Sequence, residues 1–258
     1  MLSRRHFLRN SLSFVPLLLF PGPAFKRISK KLPKVLILGD SISIGYFPFV
    51  KELMNGKAEV IRPFKEDGNA ENCQGTSNGV TNIHRWIGVT EWDIIHFNFG
   101  LHDMKHVDPV SWENSNNPEH PLQADLKQYR HNLQVIVKAL KGTGARLIFA
   151  TTTPYPDEVS GPLRDPGMPE KYNKVAKKIM KKNGITVNDL FTFVLPMMNE
   201  WQRPNNVHFT EKGSQMLAEQ VTKAINTYNS FIEWAMHTPQ NYRFAQEAKR
   251  QVEILKIH

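Results

Sequence analysis

Residues 35–41 read Val-Leu-Ile-Leu-Gly-Asp-Ser, and this stretch decides the fold. Four consecutive apolar residues that end in a glycine are typical of a buried strand in a parallel sheet. Gly39 allows a sharp turn, and either Asp40 or Ser41 is suited to cap a helix that follows. The turn leaves Ser41 at the carboxyl end of the strand, where open α/β sheets bind ligands, with a backbone amide free to bind an anion.

The rest of the sequence alternates between strand and helix patterns. Four more strand patterns occur, at residues 58–61, 93–99, 146–150 and 185–187. Apolar residues at helical spacing occur at residues 122–140, 172–179 and 217–228. This alternation predicts a flavodoxin-like three-layer α/β/α sandwich with a five-stranded parallel sheet, in which the first and third strands are neighbours.

Length and charge limit the possible classes of protein. The chain has 258 residues, enough for one α/β domain, and 40% of them are apolar, as is ordinary for a globular protein. No stretch of 18 apolar residues indicates a membrane span. The net charge is +9, but the first 34 residues hold eight lysines and arginines and no acids, which leaves +1 for the remainder. A nucleic-acid partner is therefore not expected.

The N-terminus has the parts of an export signal. Two adjacent arginines, Arg4 and Arg5, precede a Phe-Leu pair, and a short apolar run at residues 12–20 is followed by Pro-Gly-Pro-Ala. This arrangement resembles a twin-arginine signal, so residues 1–24 are predicted to engage the twin-arginine export machinery. The mature protein is then expected to be periplasmic or secreted, without a stable membrane span. The cleavage site matches poorly, which leaves an uncleaved anchor open.

The mature domain is expected at residues 34–229, followed by a C-terminal helical extension at residues 230–258. The predicted buried stripe of that extension consists of Ala245, Ala248, Val252 and Leu255. The single cysteine, Cys73, cannot form an internal disulfide, which is consistent with a route that exports folded proteins. We expect Cys73 to be dispensable, since no histidine close in sequence would activate it.

Three other segments bring polar residues to strand ends. Residues 100–103 read Gly-Leu-His-Asp after the third strand, and Gly75 begins a polar turn after the second. His208 lies just before a helix for which Thr210 is a suitable N-cap. A serine needs a base within hydrogen-bond reach, and His208 is the natural candidate. Taken alone, each segment would be read as a helix cap, a polar turn or an ordinary loop histidine.

In this order the segments resemble the SGNH, or GDSL, hydrolase family from residue 34 to about residue 225. Residues 35–41 match the first block of the family, Gly75 the second, residues 100–103 the third and residues 205–208 the last. The resemblance implies a carboxylic ester hydrolase with Ser41 as nucleophile and His208 as base. It requires no metal and no cofactor.

The resemblance also assigns the residues around the nucleophile. It implies an oxyanion hole formed by the backbone amides of Ser41 and Gly75 together with the side chain of His102. The residues expected to support these loops are Gly39, Asp40, Gly100 and Asp103.

Two signature positions depart from the family pattern. His102 stands where the third block has asparagine, and a neutral imidazole offers one N–H to an oxyanion while an imidazolium offers two. Asn205 stands where the last block has aspartate, and its carbonyl oxygen is expected to accept the Nδ1 proton of His208 without supplying charge. A Ser–His dyad oriented by a backbone carbonyl is the alternative.

The sequence therefore predicts an exported serine esterase that hydrolyses an O-acyl ester, most readily an O-acetyl ester, on a carbohydrate. Two alternatives remain open. One is an O-acyltransferase that uses the same Ser41 and passes the acyl group to a sugar hydroxyl. The other is a non-catalytic carbohydrate-binding protein on a hydrolase fold, which the departures at positions 102 and 205 would support.

Overall fold

A computed structural model of the chain describes the backbone of residues 31–237 and the side chains of residues 31–227. The predicted export signal at residues 1–24 and the predicted buried stripe of the C-terminal extension lie outside the described residues. None of the helices among the described residues is long and apolar enough to span a membrane.

Five parallel strands form a single sheet in the order β2-β1-β3-β4-β5. The strands are β1 (Lys34–Leu38), β2 (Glu59–Ile61), β3 (Ile94–Phe97), β4 (Arg146–Ala150) and β5 (Thr186–Asn188). Leu38 pairs with Phe97 and Phe97 with Phe149, so the three central strands end at the same edge. The predicted flavodoxin-like order, with the first and third strands adjacent, is confirmed.

Helices cover both faces of the sheet. They are α1 (Ser41–Leu53), α2 (Thr76–Ile87), α3 (Leu126–Lys141), α4 (Met168–Lys182), α5 (Leu190–Val194), α6 (Met198–Trp201) and α7 (Glu211–His237). One core cluster joins α2, α3 and α4 to one face, and a second joins α1 and α7 to the other. Alternate residues of β1 enter different clusters, Leu36 the first and Ile37 the second. Burial on both faces explains why the strand is continuously apolar.

The last helix crosses the boundary that was expected at residue 229. Helix α7 runs without a break from Glu211 to His237, so residues 230–237 continue the helix of the domain instead of starting a separate segment. The division of the chain at residue 229 stays a prediction. No proline occurs between Pro204 and Pro239, which is consistent with a helix that continues through residue 229.

Two long loops follow the carboxyl ends of β3 and β4, between Phe97 and Leu126 and between Ala150 and Met168. Backbone hydrogen bonds join them, because His106 donates to the carbonyl of Leu163 at 2.9 Å and Leu163 donates to Ser115 at 2.9 Å. The two loops therefore form one layer that holds side chains from both strand ends in place.

Candidate active site

Ser41 is the first residue of α1, directly after β1. The side chain of Asp40 caps this helix by accepting a hydrogen bond from the amide of Ile42 at 2.9 Å. The first amides of a helix have no partner inside it and carry the positive end of its dipole. The Ser41 hydroxyl and amide thus lie together at a position that favours negative charge. Burial raises the pKa of Asp40 to about 6, although the Ile42 amide and the charge of Arg164 act against this rise.

His208 lies against this serine. Its Nε2 is 2.9 Å from the Oγ of Ser41, and its Nδ1 is 2.8 Å from the Oδ1 of Asn206. The same Oδ1 accepts the backbone N–H of His208 at 2.9 Å, which identifies this atom as the amide oxygen. An amide oxygen only accepts, so Nδ1 carries the proton and Nε2 presents its lone pair to the serine hydroxyl. This is the tautomer that a general base needs.

Asn206 makes the hydrogen bond that was predicted for Asn205, and this prediction is corrected. Asn205 is exposed and has a positive φ of 50°. Its backbone carbonyl accepts the backbone amide of Ser160 at 2.8 Å. The physical reason is an Asx turn, in which an asparagine oxygen accepts the backbone amide two residues further on. That turn folds the Asn206 side chain back onto the imidazole, and an asparagine two residues before a histidine is the sequence signal for it.

The loop that carries His208 is fixed at both ends. The amide of Arg203 donates to the carbonyl of His208 at 2.9 Å, and Gln202 donates through Nε2 to Pro154 at 2.7 Å. The hydroxyl of Thr210 accepts the amide of Gly213 at 3.1 Å, which confirms the predicted N-cap of α7. The imidazole therefore has little freedom to leave the serine.

The pKa of His208 is below its ordinary value of 6.5. The main cause is partial burial, and the positive charges of Arg203 and Arg164 act in the same direction. Each of these effects disfavours the imidazolium form. The ring is therefore neutral, and able to accept a proton, at and above its ordinary pKa.

Asp103 organises the opposite side of the site, which we call the oxyanion corner (residues 75, 76, 102 and 103). Its carboxylate accepts the amide of Thr76 at 2.8 Å and also binds the Thr76 hydroxyl. Gly75 is the N-cap residue of α2 and has no side chain with which to cap it, so Asp103 supplies the cap from another loop. A Cβ on Gly75 would lie 3.1 Å from this carboxylate, which leaves little room for a side chain. Burial raises the pKa of Asp103 to about 7.

His102 is neutral in this environment. Burial lowers its pKa to about 3, and the charges of Lys105, Arg164 and His208 act in the same direction. The imidazolium with two N–H groups is thus not the form present near neutral pH, and the ring has one N–H to offer. Its Nδ1 is buried and has no hydrogen-bond partner among the described residues. Gly100 precedes it at a close approach, because a Cβ there would lie 2.2 Å from the Oγ1 of Thr152.

Arg164 is a site residue that sequence reasoning missed. It lies on the loop after β4, its side chain is buried, and its Nε donates to the carbonyl of Leu101 at 3.1 Å. Its charge reaches Asp40, His102 and His208, since it lowers the pKa of all three. A lone arginine in a loop rich in proline and glycine carries no signal of this position.

Cys73 lies close in the fold without the properties of a nucleophile. Its side chain is fully buried, and burial raises the pKa of its thiol to about 12. A thiol of that pKa is protonated near neutral pH and unreactive. Its amide donates to the carbonyl of Gly39 at 3.1 Å, which ties the turn before Ser41 to the chain that leads to Gly75. Among the described residues, no three His, Cys, Asp or Glu side chains form a group that could hold a metal ion.

Fold and sequence together define the class of protein. The family model of the GDSL-like lipases and acylhydrolases matches residues 37–216, which is more than half of the chain. The chain belongs to this family, whose members are carboxylic ester hydrolases. No curated protein matches it in sequence.

Several solved structures share the fold. An acetyl xylan esterase, AlAXEase, is 16% identical with a TM-score of 0.58, over 74% of this chain and 99% of its own. A lipase/acylhydrolase from Enterococcus faecalis is 17% identical with a TM-score of 0.60, over 76% and 97%. An acetylxylan esterase from Geobacillus stearothermophilus is 15% identical with a TM-score of 0.58, over 75% and 94%. At this identity the likeness establishes the fold.

Proposed function

We propose that the protein is an exported serine esterase that removes O-acetyl groups from a carbohydrate. Ser41 is the nucleophile, His208 is the general base, and Asn206 positions the imidazole. The observation that carries this proposal is the 2.9 Å hydrogen bond between His208 Nε2 and Ser41 Oγ, with Nδ1 of the same ring held by Asn206. Such a chain of contacts is the signature of an activated serine.

The first half of the reaction forms an acyl-enzyme. His208 accepts the Ser41 proton at Nε2 while Oγ attacks the ester carbonyl carbon and forms a tetrahedral intermediate. The imidazolium then gives that proton to the sugar oxygen as the bond between it and the carbonyl carbon breaks. The sugar leaves as an alcohol and the acetyl group stays on Ser41.

The second half releases the acid. A water molecule gives a proton to His208 and attacks the acetyl carbonyl, and the collapse of the second intermediate returns the proton to Ser41. The negative oxygen of each intermediate is bound by the backbone amides of Ser41 and Gly75 and by the N–H of His102. Donors fixed in advance for a developing oxyanion are among the largest contributions to such catalysis.

Neutrality is the unusual feature of this arrangement. Asn206 fixes the tautomer of His208 but adds no negative charge, and Arg203 and Arg164 further disfavour the imidazolium. In a serine protease, replacing the triad aspartate by asparagine lowers turnover by about 10⁴-fold mainly through the wrong tautomer, a loss that the Asn206 contact avoids here. The negative charge that would stabilise the imidazolium is still missing, so we expect a slower esterase than one whose histidine is paired with a carboxylate.

The substrate class is supported by two observations. Two of the structures that share the fold are named as acetyl xylan esterases. The loops over the crevice are polar, which suits a sugar better than a long acyl chain.

The leader at residues 1–24 supports export, and Arg4→Lys with Arg5→Lys should keep the protein in the cytoplasm if the twin-arginine route is used. Unchanged export of that double variant would count against the route.

Hydrolysis is tested with 4-nitrophenyl acetate and with acetylated xylo-oligosaccharides, measuring acetate release by the wild-type chain and by Ser41→Ala. The proposal expects acetate from both substrates with the wild type only. A fluorophosphonate probe that labels the wild type and spares Ser41→Ala would separate an enzyme from a non-catalytic binding protein. Acetylated acceptor sugars in place of free acetate would indicate an O-acyltransferase.

A further inference from the structure

A groove lies beside the oxyanion corner, outside the residues that the reaction uses. Its volume is about 620 Å³, within the range of roughly 300–1,000 Å³ that is common for ligand sites. Its lining includes Gln74, Ser77, Lys105, Trp112, Asn114 and Gln123. Gln74 precedes Gly75 directly and Ser77 follows Thr76, so one wall of the groove borders the oxyanion corner.

The exposure of Trp112 and its backbone conformation are not explained by packing in the fold. Its indole is 64% exposed, and its backbone has a φ of +60°, a region that bulky residues rarely adopt. The loop holds it there, since the Trp112 amide donates to the carbonyl of Asp108 at 2.9 Å and the Asp108 carboxylate accepts the amides of Val110 and Ser111. The chain thus keeps a large apolar side chain in water on a strained backbone, which is common where a ligand binds.

A second strained residue faces the same groove. Gln74 has a φ of +55°, so two of the three residues other than glycine with positive φ in the described chain line this groove.

The chemistry of the lining selects the kind of ligand. One lysine, Lys105, and one glutamate, Glu113, leave the groove without net charge, which favours neither an anion nor a cation. Lys105 donates to the Oδ1 of Asn114 at 2.6 Å and so fixes the orientation of that amide. A pyranose ring has a face of C–H groups that suits an indole and hydroxyls that suit amide and hydroxyl partners. A fatty acyl chain would leave these polar groups unpaired.

We propose that this groove is a glycan subsite, in which Trp112 stacks on a sugar of the oligosaccharide chain next to the acetylated unit. The chain would then lie across the oxyanion corner with its acetyl ester at Ser41. The subsite deepens the proposed function and rests on it for the position of the ester. Trp112 sets the preference for an oligosaccharide over a small ester without touching the reacting atoms.

The test compares a substrate that reaches the groove with one that does not. We would measure kcat/KM for acetylated xylo-oligosaccharides and for 4-nitrophenyl acetate with the wild type, Trp112→Ala, Trp112→Phe and Val110→Ala. Trp112→Ala should lower the ratio of the two values by about ten-fold, the upper end of what one aromatic stacking contact contributes, while Trp112→Phe retains most of it. Val110 is the matched control, because it is also exposed on the same loop and does not line the groove.

Binding gives a second readout that does not depend on catalysis. In Ser41→Ala, intrinsic fluorescence should change on titration with acetylated xylo-oligosaccharides, and that change should be lost in Ser41→Ala with Trp112→Phe. An unaltered ratio with Trp112→Ala, no fluorescence change that depends on Trp112, or a change of oligomeric state in place of a change in ratio would each overturn the subsite. Hydrolysis of 4-nitrophenyl acetate by the wild type, together with such a result, would leave the esterase standing. Absence of hydrolysis with Trp112-dependent binding intact would instead refute the esterase and keep the glycan groove.

Discussion

The two sides of the candidate site are held by different groups, a carboxyl group at the oxyanion corner and a neutral amide beside His208. On the oxyanion side, the buried carboxylate of Asp103 accepts the amide and hydroxyl of Thr76 and fixes the loop that carries Gly75. On the nucleophile side, the neutral amide of Asn206 holds His208. A buried carboxyl group, whose pKa is raised to about 7, thus organises the start of α2, while the imidazole is oriented by a neutral amide. A site can keep the geometry of a serine hydrolase and still give up the carboxylate that would stabilise its imidazolium.

Removing the nucleophile should have the largest effect on either side. Ser41→Ala should lower kcat for 4-nitrophenyl acetate by at least about 10⁴-fold, because only binding and the oxyanion donors remain. Cys73→Ala is the matched control and should keep most of the activity, since its buried thiol is protonated. Initial rates at matched circular dichroism spectra would check both variants. Activity that survives in Ser41→Ala and disappears in Cys73→Ala would move the nucleophile to the cysteine.

Weakening the charged side should have the next largest effect. Asp103→Asn removes the carboxylate that caps α2 and should lower kcat by about 100-fold, the size of one misplaced oxyanion donor, with little change in KM. Asp125→Asn changes another helix cap, at the start of α3, where the side chain accepts the amides of Lys127 and Gln128. Steady-state kinetics should leave this control close to the wild type. Equal losses in the two variants would mean that Asp103 acts only through stability.

Restoring charge to the neutral side should produce a gain. Asn206→Asp keeps the acceptor for His208 and adds an anion that the nearby Arg203 and Arg164 favour, so kcat should rise by about ten-fold or more. Asn206→Ala should lower kcat by about ten-fold through loss of tautomer control. Asn205→Gly, which tolerates the positive φ at that position, should change little. Identical turnover in all four proteins would show that backbone contacts alone hold the imidazole.

The smallest expected effect is a shift of the pH profile. The proposed base His208 must be neutral to accept a proton, and its pKa is lowered below 6.5 by burial, Arg203 and Arg164. The acidic limb of kcat/KM should therefore lie below pH 6.5, with activity lost as the pH falls through the pKa of the free enzyme. Arg203→Gln removes one of these causes and should move the limb to higher pH. Because burial raises the pKa of Asp103 to about 7, a limb above 6.5 would contradict the assignment of His208 as base only if Asp103→Asn leaves that limb in place.

The sheet was open to prediction from the sequence because its signals are local. Each strand coincides with a short run of mostly apolar residues, and helical spacing follows the last three of these runs, which predicts the parallel architecture. Strand ends were less accurate, since the third pattern at residues 93–99 corresponds to Ile94–Phe97. Beyond Phe97 the apolar Phe99 still packs in the core although the ladder has ended, so hydrophobicity overstates the length of the strand.

Only those site residues that lie next to the end of a strand or the start of a helix were predicted from the sequence. Ser41 and His208 were identified because each adjoins a strand or helix boundary that brings it to the same edge, and the structure does bring them together. Asn206 was missed because its role depends on an Asx turn, and Arg164 because its loop is positioned by hydrogen bonds to another loop. Such contacts join residues far apart in sequence, and no local pattern records them.

The sequence by itself determined the fold class, because hydrophobic periodicity and turn residues act over a few positions, and the order of its blocks gave the family resemblance that pointed to Ser41 and His208. Tertiary structure decided which asparagine holds His208, that His102 is neutral, and that Trp112 stands exposed above a groove. These outcomes depend on burial and on charges brought near from other loops, such as that of Arg164. Burial and distance are properties of the packed chain, which the order of residues alone does not give.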